Sequence, residues 1–230
     1  MRARRCGARR ARLGSDYASG GQTPGVVAQK KLIHASERDT ERVAQARSLY
    51  QSLVAALDFR RCKFIDESGV NISMTRLYGR APKGERVLGS VPQNYGENVT
   101  MLGALSCTGM EAMMTVNGAT DADVFRVYVR EVLAPTLSEG DIVVMDNLSA
   151  HKVAGVRETV EARGAQLLYL PPYSPDLNPI ECCWSKIKTA LRAAKARTRE
   201  TLDEAITLAL ATITESDARG WFKHCGYVLH

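Results

Sequence analysis

DIVVMDNLSAHKVAGVRETVEARGAQLLYL, residues 141–170, reads as strand, helix, strand. Ile142, Val143, Val144 and Met145 form a β-prone apolar run that stops at an acid, Asp146. Val153 to Ala162 follows as a helical stretch ended by Gly164, and Gln166 to Leu170 is a second apolar run closed by Pro171 and Pro172. Two strands joined by a helix lie parallel through a right-handed crossover, which sets a parallel pair inside the fold.

Upstream of this unit the pattern is a meander. Arg61 to Asp66 (RCKFID) is one expected strand, Ile72 to Tyr78 a second, Val99 to Cys107 a third, and Glu111 to Val116 a partner for the third. Gly79 to Gly96, rich in Gly, Pro and basic residues, reads as a long loop. Helices are expected over Ser36 to Leu57 with Ser36 and Asp39 as capping pair, and from Thr120 with Asp123 up to Pro135. Two more follow: one opening Asn178-Pro179-Ile180-Glu181 with apolar Ile180, Trp184, Ile187 and Leu191, and one from Thr201 through Ile213. The sum is a mixed sheet with helices, an α/β fold.

Of the 230 residues, 45% are hydrophobic and 24% charged, the balance of a globular chain. The uncharged stretch Asn98 to Met110 is too short to cross a bilayer, which needs roughly 20 apolar residues, so no membrane partner is expected. The net charge of +6 is unevenly placed: residues 1–62 hold 13 Lys and Arg against 5 Asp and Glu, while the remainder is slightly acidic. Residues 1–35 lack periodicity and read as a flexible basic arm, 36–58 as a linker helix and 59–230 as the folded domain. The six cysteines show no CxxC spacing and the four histidines no HxxxH, so neither a zinc site nor a disulfide framework is expected, and reduced thiols point to a cytoplasmic setting.

Three acids stand where a regular element meets a polar loop: Asp66 after Lys63-Phe64-Ile65, Asp146 after Val143-Val144-Met145, and Glu181 at a helix start. Singly, each has an ordinary explanation as a turn former or, for Glu181, the second half of a capping box. If the strands bearing Asp66 and Asp146 are neighbours, however, their backbones lie about 4.8 Å apart, and two carboxylates with Glu181 can share hard cations. Oxygen ligands alone select Mg²⁺ or Mn²⁺ over zinc, and a pair of such ions suits phosphodiester displacement.

FIDESG (Phe64 to Gly69), VMDNLSAHK (Val144 to Lys152) and LYLPPYSPDLNPIECCWSKIK (Leu168 to Lys188), with 34 residues between the second and third acids, resemble the acidic motifs of DDE transposases, in particular the bacterial insertion-sequence branch of the mariner superfamily. The resemblance covers roughly Lys31 to His230. It implies an RNase H-like fold with Asp66, Asp146 and Glu181 as catalytic metal ligands for Mg²⁺ or Mn²⁺, two ions in number. It also implies metal-dependent DNA cleavage and strand transfer at terminal inverted repeats and TA targets, by a homodimer, in a bacterial cytoplasm at the nucleoid. Asn147, His151, Lys152 and Asn178 match the motifs as supporting residues; Glu67 is left out of the metal set because the next residue on a strand faces the other way.

Lys186, Lys188 and Arg192 near Glu181, and Arg76, Arg80 and Lys83 in the long loop, are the candidate DNA-contacting cations. Full-length relatives have helix-turn-helix modules before the catalytic part, and no such pair is legible here. End recognition is therefore expected from a helix-turn-helix protein of an upstream frame. The alternative is a truncated, inactive remnant acting only as a DNA-binding or partner protein.

Overall fold

A computed structural model describes residues 34–147 and 149–227. All but the last two residues of the expected basic arm fall outside it. Helix α1 spans Glu41–Val54 and buries Val43, Tyr50 and Val54 along one stripe. Ser36 and Asp39 do not cap it: they belong to a separate 3₁₀ turn, Ser36–Asp39, and the Thr40 hydroxyl donates back to Glu37 O at 2.7 Å.

Five strands form one sheet in the order β3-β2-β1-β4-β5: β1 Cys62–Val70, β2 Val99–Ser106, β3 Gly109–Asn117, β4 Ile142–Met145 and β5 Gln166–Tyr169. The first three are antiparallel, while β1/β4 and β4/β5 are parallel, with Ile65 opposite Met145. The strand expected over Ile72 to Tyr78 is absent. β1 already has β2 on one edge and β4 on the other, so the chain after Val70 has no ladder to join there. Residues 71–98 run instead as an irregular loop, tied down where the Arg197 guanidinium donates to Ile72 O and Met74 O.

The crossovers are helical. α2, Ala122–Val127, is capped by Asp121, whose carboxylate accepts from Asp123 N and Val124 N, one position after the expected Thr120. It continues through a π-helical turn, Tyr128–Leu133, and stops in a 3₁₀ turn containing Pro135. α3 is only Val156–Glu161, because Gly155 at φ 92° turns the chain before it and residues 153–155 do not join the helix. α4 spans Pro179–Ala194 and α5 Arg199–Leu210. A last helix, α6 Glu215–His224, was not expected, although Thr214 and Asp217 close a reciprocal cap that is visible as TESD in the sequence.

Alternation along β1 splits the interior into two cores. Phe64, with Met101, Leu105 and Val144, packs against Trp184 and Ile187 of α4 and Phe222 of α6. Ile65, with Leu102, Val143 and Met145, packs against Phe125, Leu133 and Val160. Trp184 is 2% exposed and belongs to the core. Cys62, Cys107, Cys182, Cys183 and Cys225 are free thiols. Among the described residues no helix is long and apolar enough to cross a membrane.

Candidate active site

The parallel β1/β4 pairing brings Asp66 and Asp146 side by side, since Ile65 pairs with Met145 and both acids follow. α4 begins above them. Its N-terminal turn closes through the main chain, Glu181 N donating to Asn178 O at 3.1 Å, and neither Asn178 nor Glu181 makes a side-chain cap. Glu181 is thus not half of a capping box. It lines the same cavity of about 420 Å³ as Asp66, Asp146, Asn147 and Asn178, together with Arg42 of α1 and the loop from Leu170 to Pro175.

The carboxylates feel one another. Burial and then the negative charge of Glu181 push Asp66 up to about 7, with Asp146 and Glu67 adding to the rise. Burial also raises Glu181; Lys188 opposes that rise and Asp146 adds to it. A partly buried cluster of like charge is an environment in which a divalent cation can replace protons as counter-charge. Among the described residues, no three His, Cys, Asp or Glu side chains form a group close enough to hold an ion by themselves.

His151 belongs to this centre. It is fully buried; Nδ1 is in ion-pair contact with Asp146, and Nε2 lies 3.2 Å from Oε2 of Glu67. Burial alone would lower its pKa, but the two carboxylates outweigh burial and raise it to about 9. Asn147 is exposed at the cavity, whereas Lys152 stands outside it, 5.5 Å over the Tyr169 ring. Asn178 is 4% exposed with no partner for Oδ1, at the mouth of α4.

The candidate DNA-contacting cations divide. Lys186 donates to Thr212 O at 2.9 Å and to Asp217 at 2.6 Å, so it braces α4 against α6. Lys188 stays within electrostatic reach of Glu181, Arg192 is partly exposed one turn further, and Arg76, Arg80 and Lys83 are exposed on the 71–98 loop. Arg42 was not anticipated. It lies beside buried Val43 on an amphipathic helix, and only the docking of α1 turns it toward the acids. That docking is held by Asp176, which accepts from Arg47 at 2.8 Å and 3.1 Å and from Arg38 at 3.1 Å.

Residues 61–203 match the family described as DDE superfamily endonuclease. The chain belongs to that family. Curated relatives include the transposase of the element Tcb2 from Caenorhabditis briggsae, 28% identical over 149 residues, covering 60% of this chain and 55% of that protein. The Tc1 transposase of Caenorhabditis elegans is 28% identical over 105 residues, 44% of this chain and 38% of that one. The chain spans about half or less of the length of these relatives. Among solved structures, the catalytic domain of Mos1 mariner transposase superposes with a TM-score of 0.62 at 18% identity over 85% of this chain and 92% of that domain. The Mos1 mariner paired-end complex with Mn gives a TM-score of 0.69 at 16% identity, covering 90% and 67%. These likenesses establish the RNase H-like fold of the DDE endonuclease domain.

Proposed function

We propose that this chain is the catalytic part of a transposase that cleaves DNA and transfers strands during DNA transposition, with Asp66, Asp146 and Glu181 holding two Mg²⁺ or Mn²⁺ ions. One observation carries the reading: three acids from a central strand, the end of its parallel neighbour and the start of α4, as far apart as residues 66 and 181, line one cavity. Bound there, the cations supply Lewis-acid charge for phosphodiester displacement, a reaction that rests on positioning and neutralisation more than on a protein nucleophile. The Mos1 relatives are described in complex with transposon ends, with Mg and with Mn, which supports both DNA as substrate and the choice of cation.

The protein's own groups divide the work. The acids converge on the cavity; Asn147 and Asn178 offer polar contacts at its wall; Arg42 and Lys188 place positive charge on its rim, where a DNA phosphate arrives. Arg192, Arg76, Arg80 and Lys83 extend that charge along the duplex. The string YSPDLNPIE (Tyr173 to Glu181) supports placement in the bacterial insertion-sequence branch, and with it a homodimer at the nucleoid, TA targets, and terminal-repeat recognition by helix-turn-helix modules from an upstream frame.

Purified wild type should nick a duplex bearing the element's terminal repeat in the presence of Mg²⁺, and Asp146→Ala should reduce cleavage to background without loss of the folded state by circular dichroism. Equal cleavage by the two proteins would overturn the catalytic assignment. Binding of the same duplex by wild type with no cleavage under any divalent metal would favour the inactive remnant.

A further inference from the structure

β1 presents two acids in succession, and the pleat sends them to opposite faces. Asp66 lies on the side of Phe64, toward α4, and Glu67 on the side of Ile65, toward the layer that contains Phe125. Glu67, a partly buried carboxylate, has no part in the cation set. Its Oε2 lies 3.2 Å from Nε2 of His151, while the other nitrogen of that ring meets Asp146. The His151 ring is held on its face by Phe125, centroids 4.3 Å apart at 30°, and its main-chain oxygen accepts from the Tyr169 hydroxyl at 3.4 Å. An imidazole fixed on one face and both edges cannot turn without breaking one of these contacts. Asp146, by contrast, sits just past a four-residue strand at the start of a loop, so the backbone ladder does little to set its rotamer.

We propose that Glu67 is a positioning residue for the acidic site: it fixes the His151 ring, and through that ring holds the Asp146 carboxylate in the orientation a divalent cation requires. The proposal rests on the reading of Asp66, Asp146 and Glu181 as cation ligands. Chains of this kind, carboxylate to imidazole to ligand, orient metal ligands from outside the coordination sphere. A purely structural Glu67–His151 pair would instead affect stability and leave cation affinity alone.

The test is direct Mn²⁺ binding to the folded, DNA-free protein, read from the electron spin resonance of free Mn²⁺, for wild type, Glu67→Leu, Glu67→Gln and Asp146→Ala. Loss of a partner in direct contact with a metal ligand weakens metal affinity about 10- to 100-fold; Glu67 acts one contact further out, through His151, so Glu67→Leu should weaken it by about 10-fold, the lower end of that range. Glu67→Gln, whose amide oxygen still accepts from Nε2, should recover most of it, and Asp146→Ala should bind more weakly than either. Wild-type affinity in Glu67→Leu, alongside impaired Asp146→Ala, overturns the proposal and leaves the ligand reading standing. Wild-type affinity in Asp146→Ala overturns both. If Glu67→Leu does not fold, the wild type decides: the ¹⁵N resonances of the His151 ring should move on Mg²⁺ addition with the same saturation as Mg²⁺ binding, and resonances that stay fixed overturn the proposal.

Discussion

Asp66 shows how a single residue can be placed against stability. Burial and its acidic neighbours raise it to about 7, whereas the unfolded chain returns it to the ordinary carboxylate range near 4. A raised acid favours the folded state at low pH, and that advantage is lost as pH climbs from about 4 to about 7. At about 1.4 kcal/mol per unit, the cost of keeping Asp66 ionised at pH 8 without metal is on the order of 2 to 4 kcal/mol. Asp66→Asn should therefore raise the metal-free unfolding free energy by about that amount at pH 8 and by little at pH 4, measured by urea titration. Gly103 is the residue directly across the ladder from Asp66, at a break in the β2/β3 register. A Cβ there meets the ends of Met113 and Met110 and comes within 3.3 Å of Trp184 Cη2. The methionines can move aside for one methyl, so Gly103→Val, which adds more, is the variant expected to cost about 1 to 3 kcal/mol by overpacking.

At the scale of elements, α1 matters through how it is attached. Its apolar stripe is short, and the Asp176 carboxylate, clasped by Arg38 and by the two terminal guanidinium nitrogens of Arg47, holds it over the loop that leads into α4. Tyr50 and Tyr227 complete the attachment, their hydroxyls 3.0 Å apart, with Tyr227 donating to Leu177 O at 2.5 Å. Arg47 is mostly covered, so its bidentate pair exceeds the usual surface value and contributes about 1 kcal/mol. Asp176→Ala should speed amide exchange over Glu41–Val54 roughly fivefold and leave β1 and β4 unchanged, since local opening is governed by local contacts. On the far side, the Lys186–Asp217 contact joins α4 to α6, which makes Lys186 part of the scaffold that presents Glu181.

For the whole molecule, the question is where a polyanion can lie. The acid cavity repels DNA until cations fill it, and the favourable charge is near its mouth, at Arg42 and Lys188, further along α4 at Arg192, and along the exposed 71–98 loop. Each phosphate contact contributes about one unit to the dependence of log affinity on log salt concentration. Lys188→Ala and Arg192→Ala should each lower that slope by about one and weaken binding evenly across sequences, whereas Lys186→Ala should lower stability with little change in slope. Chelating divalent metal should stop cleavage while duplex binding through these rim cations survives, a contrast that gel shifts and cleavage assays on one sample will show.

Local patterns determined much of this protein. The apolar run ending in Asp146, the strand–helix–strand unit over residues 141–170 and the Asn178-Pro179 helix start are written in neighbouring residues, because strands, turns and helix starts are governed by short-range sterics and hydrogen bonding. The strand expected over Arg61 to Asp66 does not end at its acid: β1 runs on to Val70 because Ser68, Gly69 and Val70 pair with β2, so Asp66 lies mid-strand. The same locality explains the misses. Ile72 to Tyr78 alternates like a strand but follows β1, whose two sides are already taken by β2 and β4, and which sides are taken is a property of the assembled sheet. The placement of Arg42 at the cavity, the engagement of Lys186 by Asp217 and the contact of His151 with Glu67 span 24 to 139 residues of chain. Only tertiary packing could decide those, since side chains so far apart in sequence acquire a defined distance when the two cores close on either face of the sheet.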